Sequence, residues 1–371
     1  MAVSLHEAAG SLLVVGLSGM EPTAAERVWL KELRPAGIIL FRRNIADAKQ
    51  TRALLRNATA LCSGSAARFV DVEGGTVDRL RDVLAPMPSA QAVATAARIA
   101  RDATLARRHG ELVARAVKAF GFNTTLAPVL DLGLPESAGV MGSRCAGATA
   151  AEVIDYVRGF LAGLAAHDVV GCGKHFPGLG GGTLDSHKET PAIERTWKQL
   201  WNEDLVPYRT VRSKLPMVMV SHGRYPLTRE KKRPASVSKF WIDGVLRERI
   251  DYRGIALSDD MEMGGVLNAM PMEEAAVEAV RAGTELIEIC HQPELILRAY
   301  EALVREGERS KAFAAVLVRQ ARQSTRKREK IYAERTAAAL SARQFAALRD
   351  EILRFTEVIS KASDSHGSRS Q

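Results

Sequence analysis

Short apolar runs recur along the chain, each bounded by turn residues and followed by a stretch in which apolar positions return at helical spacing. The runs cover residues 12–17, 37–41, 68–72, 124–130, 169–173, 217–220, 254–257 and 285–289. Unbroken apolar runs this short read as strands buried on both faces. Between and after them, periodicity predicts helices over 23–33, 47–62, 89–120, 149–167, 194–212, 238–249, 272–282 and 293–305. Strict alternation of strand and helix implies a parallel sheet. Eight repeats favour an α/β fold closed into a (β/α)8 TIM barrel over an open doubly wound sheet.

Polar residues gather where the runs end: Arg42 and Asn44, Asp71 and Glu73, Asp131, Lys174 and His175, Ser221 and His222, Asp259 and Asp260, and His291. In a barrel of this kind that rim is where sites are built. Beyond residue 305 the chain is helical and charged, without further strand signals. The expected division is a single barrel domain over 1–310. A C-terminal helical extension over 311–371 packs on it, and the last residues fray.

Composition narrows the function. The chain has 371 residues, 46% hydrophobic and 26% charged, as expected of a globular protein with a sizeable core. Its formal net charge is +9, but the basic stretches at 229–233 and 319–335 are not interleaved with aromatics, which make up only 5% of residues. A solvated helix face is therefore expected rather than a nucleic-acid surface. Cys62, Cys145, Cys172 and Cys290 are widely spread with no CxxC pair, so reduced thiols are expected rather than a zinc ribbon or disulfide framework. The apolar patch at 12–17 lacks a preceding basic region and is too short to span a bilayer. The reading is a cytoplasmic monomer without export signal or membrane anchor.

Four arrangements carry candidate chemistry. Asp71-Val72-Glu73-Gly74-Gly75 with Arg79 puts a carboxylate at a strand end, followed by a tight turn and a planar fork of donors. Gly142-Ser143-Arg144 supplies a second arginine after the Asp131 strand. Lys174-His175 end another strand and lead into a glycine-laden loop, 178–183, expected to be flexible, that carries Asp185 and His187. Finally, Ser258-Asp259-Asp260-Met261 ends a strand with adjacent acids. Consecutive strand side chains face opposite ways, so only one of the two is expected in the mouth. A carboxylate at a strand tip together with an Asp/His pair suits glycoside hydrolysis, with histidine as acid/base. His175, His222, His291 and Asp259 leave a metal-dependent barrel hydrolase as an alternative, although the strand-one His-x-His of such enzymes is missing.

These motifs, in this order over about residues 13–289, resemble glycoside hydrolase family 3. The family's early strand matches Gly37 through Asn44, and Leu126-Ala127-Pro128-Val129-Leu130-Asp131 and Lys174-His175-Phe176-Pro177-Gly178 follow in sequence. The resemblance implies a retaining exo-β-N-acetylglucosaminidase acting on GlcNAc-1,6-anhydro-N-acetylmuramyl (peptide) fragments, without metal or cofactor. It implies Asp259 as nucleophile, His187 as general acid/base and Asp185 as its partner. Asp71, Arg79, Arg144, Lys174 and His175 fall on sugar-binding positions, and Asp260 on a supporting one. The partner is then a small saccharide or muropeptide, with neither nucleic acid nor membrane involved. Two departures stand out: Leu179 and the glycines 180–182 replace the family's His-Gly-Asp, and Cys145-Ala146-Gly147 replace Ser-Phe-Gly. Three glycines in succession imply weaker loop closure than in close relatives. A β-N-acetylglucosaminide phosphorylase and a catalytically silent sugar-binding barrel stay open beside the hydrolase.

Overall fold

The computed structural model describes residues 3–182, 191–332 and 338–367. Eight parallel strands close into a barrel: β1 (Leu13–Gly16), β2 (Gly37–Ile39), β3 (Ala67–Val70), β4 (Thr124–Thr125), β5 (Val170–Phe176), β6 (Met217–Val220), β7 (Ile255–Asp260) and β8 (Leu286–Ile289). Each pairs with its chain neighbours, and β8 returns to β1 with Leu13 opposite Ile287. Because strand order around the ring follows the sequence, β3 and β7 lie across the mouth from one another, and β5 stands midway between them on one wall.

Side-chain alternation divides the interior from the layer under the helices. Val14, Ile39, Phe69, Leu126, Cys172, Met217, Met219, Leu257 and Leu286 form one buried cluster inside the barrel. Val15, Ile38, Val70, Val218, Ala256 and Ile287 turn outward into a larger cluster shared with the helices. This two-layer burial explains why the strands read as continuous apolar runs.

Helix starts follow local capping chemistry. Ser4, Thr23 and Thr149 each cap a helix, reciprocated by Glu7, Glu26 and Glu152 three positions on. Four boundaries differ from the sequence expectation. A six-residue helix, α1 (Leu5–Gly10), precedes β1 and is too short to show a period. The stretch expected as one helix over 89–120 is two, Ala90–Ala100 and Thr104–Ala119, broken where Arg101 takes a left-handed conformation at φ 53°. The 124–130 run is a regular strand only at Thr124–Thr125; past Pro128, which has no N–H to give a ladder, pairing to β5 continues as an isolated bridge between Val129 and Lys174. Glu73 and Asp78 lie in a small hairpin, Val72–Gly74 with Val77–Asp78, set above the end of β3.

The C-terminal helices do two jobs. The helix Lys311–Ile331 brings Ile331 and Tyr332 against the barrel interior from below, and the Tyr332 hydroxyl lies 2.7 Å from Thr124 Oγ1. Arg328, fully buried, donates to the carbonyls of Ala36, Ser63 and Ser65 at 3.0–3.2 Å. The helix Ala342–Gly367 packs along the helices 90–100 and 104–119, with Leu348, Ile352, Phe355 and Ile359 buried there. No helix among the described residues is long and apolar enough to cross a membrane.

Candidate active site

A cavity of about 660 Å³ opens at the C-terminal ends of the strands. Asp71, Arg79, Arg144, Lys174, His175 and Asp259 all line it, so six of the eight predicted site residues converge on one space. Asp185 and His187 lie outside the described residues.

Lys174 organises one side. Its ammonium, buried at the end of β5, stands 3.0 Å from Asp71 Oδ1 and 2.6 Å from Glu73 Oε1. Arg144 grips Glu73 with two parallel bonds, Nε to Oε2 at 2.9 Å and Nη2 to Oε1 at 2.8 Å. Arg79 reaches Asp71 Oδ2 at 3.4 Å. Burial opposes charge on Asp71, Glu73, Lys174 and Arg144, yet mutual attraction wins. Arg144 and Lys174 hold the Glu73 carboxyl well below its usual range, and Lys174 and Arg79 lower that of Asp71. In return, Glu73 and Asp71 hold the Lys174 ammonium above its ordinary value. The cluster is thus a fixed array of charges facing the cavity.

His175 is positioned from beneath. Asp131 Oδ2 lies 2.6 Å from His175 Nδ1 and accepts from the His175 backbone N–H at 3.1 Å. Its other oxygen accepts from the Leu179 backbone N–H at 2.8 Å, so one buried carboxylate ties the strand end to the loop that follows. The ring's far nitrogen, Nε2, stands 3.3 Å from Arg144 Nη2. Glu73 and Asp131 were visible as polar strand-end residues but were given no role. The signal was there: each sits within two residues of an apolar run's end, where a buried charge needs a partner.

Across the mouth, the adjacent acids correct the strand-alternation expectation. Both Asp259 and Asp260 line the cavity. They occupy the last two positions of β7, where pairing to β8 slips so that Glu288 stands opposite Asp260, and Asp260 N donates to Asp259 Oδ1 at 2.9 Å. Simple alternation does not survive this irregular strand end. Glu288, Cys290 and His291 complete the wall, with Cys290 Sγ 3.3 Å from Glu288 Oε1 and His291 Nε2 3.5 Å from Asp260 Oδ2. Burial, reinforced by Glu262 and Asp259, pushes the Asp260 carboxyl up to about 7. Burial and the charges of Asp260, Asp71 and Asp259 raise Glu288 well above its ordinary value.

The described start of the loop after β5 is shaped by close contact. A Cβ on Gly180 would lie 2.5 Å from the Leu132 carbonyl oxygen, and one on Gly181 2.7 Å from Arg195 Cγ. Glycine is therefore required at 180 by close approach to backbone, a reason the sequence does not display. Leu179, which departs from the family pattern, is buried at the cavity wall. Elsewhere His222 spans Ser236 Oγ at 2.7 Å and the Asp260 carbonyl at 2.9 Å. Among the described residues no group of three or more His, Cys, Asp or Glu side chains could hold a metal ion.

Comparison with known proteins agrees with the fold. The model of the glycosyl hydrolase family 3 N-terminal domain matches residues 4–322. A protein of Idiomarina loihiensis named beta-hexosaminidase is 34% identical over 279 residues, 75% of this chain and 83% of that one. The family 3 β-N-acetylglucosaminidase of Paenibacillus sp. str. FPU-7 superposes with a TM-score of 0.85 at 28% identity, covering 96% of this chain and 69% of that one. NagZ of Neisseria gonorrhoeae, solved in complex with N-trifluoroacetyl-D-glucosamine, gives 0.72 at 27% identity, covering 85% and 98%. The chain belongs to glycoside hydrolase family 3.

Proposed function

We propose that the protein is a retaining exo-β-N-acetylglucosaminidase that releases terminal GlcNAc from anhydro-muramyl (peptide) saccharides. The observation that carries this reading is the placement of Asp259 on β7 across the mouth from Asp71, just past the end of β3, with Lys174 on the wall between, in a family 3 chain. Supporting it are the relatives named for hexosaminidase and acetylglucosaminidase activity.

In this mechanism the terminal sugar enters the cavity with its hydroxyls against the Asp71–Lys174–Arg79 array and the edge of His175 and Arg144. The Asp259 carboxylate attacks C1 as His187 gives its proton to the departing glycosidic oxygen, so the C1–O bond breaks as the ester forms. His187 then takes a proton from water, which attacks C1 and releases Asp259. Asp185 fixes the histidine tautomer, leaving the second ring nitrogen for the proton transfer. A strand-borne nucleophile suits this scheme because it must not move between the two steps. Cytoplasmic cell-wall recycling and a monomeric state belong to the same reading.

A panel of aryl β-glycosides differing only at the 2-substituent tests it. Preference for 2-acetamido over 2-hydroxyl supports the assignment, and equal turnover of both rejects it.

A further inference from the structure

A second cavity, of about 310 Å³, lies at the opposite, N-terminal end of the barrel. Arg52, Arg56, Arg68 and Lys118 line it against a single carboxylate, Asp168. Two of these cations answer nearby carbonyls: Arg52 Nη1 donates to Lys118 O at 3.2 Å, and Lys118 Nζ to His167 O at 2.9 Å, with Asp168 Oδ2 at 3.9 Å.

Arg68 is different. It stands between Ala67 and Phe69, which face the barrel interior, so alternation turns its side chain outward under the helices. Its Nε is buried and has no hydrogen-bond partner, and among the described residues neither Arg68 nor Arg56 forms an ion pair. The neighbouring amide offers nothing: Asn123 Oδ1 is taken by the Arg68 backbone N–H at 2.7 Å, and its Nδ2 donates to Ala66 O. Burial and the Arg52 charge both lower the Arg68 guanidinium, the direction an unmatched cation shows. A half-buried guanidinium with an orphaned nitrogen and cationic neighbours is a site waiting for an anion.

We propose that this cleft binds a phosphate group, with Arg68 at its base and Arg52, Arg56 and Lys118 around it. A planar guanidinium fork pairs with two oxygens of a tetrahedral oxyanion, and the dianionic charge offsets the cationic lining. The volume suits inorganic phosphate or the phosphate end of a small monoester. The site does not depend on the glycosidase assignment, and it stands at the face of the barrel away from the catalytic mouth.

Calorimetric titration of the full chain at constant ionic strength tests this, with inorganic phosphate in one arm and glycerol phosphate in the other. Saturable binding of at least one is expected, and the arm that binds more tightly identifies free phosphate or a monoester. Arg68→Met should weaken it about tenfold or more, the effect of losing a charge-assisted pair. Arg309→Met, at an exposed arginine outside the cleft, should leave it unchanged, and turnover should be the same in all three proteins. Heat without saturation in the millimolar range, or equal binding by Arg68→Met, overturns the proposal. Should Arg68→Met not fold, Arg68→Lys keeps the charge without the fork, and binding equal to the parent protein would then be the contradicting result.

Discussion

Lys174 Nζ lies 2.6 Å from Glu73 Oε1, and the same carboxylate is held by both nitrogens of the Arg144 fork. Glu73 is therefore the counter-charge for the buried Lys174 and the partly buried Arg144 at once. Glu73→Ala would leave those cations facing each other, and breaking such a buried network destabilises by about 3–5 kcal/mol. Urea unfolding should show that loss, and KM for an aryl β-N-acetylglucosaminide should rise because Lys174 and Arg144 lose their fixed positions. Unchanged stability would mean that the cluster relaxes freely.

Asp131 serves two masters, His175 and the backbone of Leu179. Asp131→Ala should lower kcat/KM by about a hundredfold, the effect of misplacing a site group by an ångström or so. Asp131→Asn keeps an acceptor and should lose less. Equal losses would point to the charge rather than the geometry.

Asp260 should make stability fall with rising pH. Its folded-state carboxyl is raised from 3.8 to about 7 by burial first, then by Glu262 and Asp259. Below the ordinary value both folded and unfolded chains hold the proton, and Asp260 exacts no penalty. Between that value and about 7 only the folded chain still holds it, so the unfolded state gains on it as pH rises. Asp260→Asn removes this dependence. The variant's stability relative to the parent protein, followed by urea midpoint, should grow from pH 4 to 7 and then level off. A constant difference would contradict the assignment.

Gly180→Ala should be more damaging than Gly181→Ala. The first meets the Leu132 backbone oxygen, and the second meets side-chain rather than backbone atoms, the stem of Arg195. Overpacking against backbone costs about 1–3 kcal/mol. Thermal unfolding of the two variants ranks them, and the reverse order would show that the loop yields at Leu132.

Much of this was legible in the chain, because eight apolar runs each bury two faces and the polar residues at their ends have nowhere to go but the rim. The strand ends at Asp71, Lys174, His175 and Asp259 were found for that reason. Glu73 and Asp131 went unassigned because their roles lie in pairing across 71 and 44 residues of sequence with Arg144 and His175, and spacing carries no trace of such partners. The Asp259–Asp260 pair was misread because alternation assumes regular pairing, and the β7–β8 register slips there. The break at Arg101 was missed because its left-handed turn uses arginine in place of glycine.

The assignment of Asp259 as nucleophile is tested most directly by trapping the covalent intermediate. The protein is treated with a 5-fluoro-N-acetylglucosaminyl fluoride, which slows release of the glycosyl-enzyme, and the labelled peptide is identified by mass spectrometry. One sugar on Asp259, absent in Asp259→Ala, is the predicted result. Turnover of the aryl substrate with the label on Asp260, or with no ester formed at all, would contradict it.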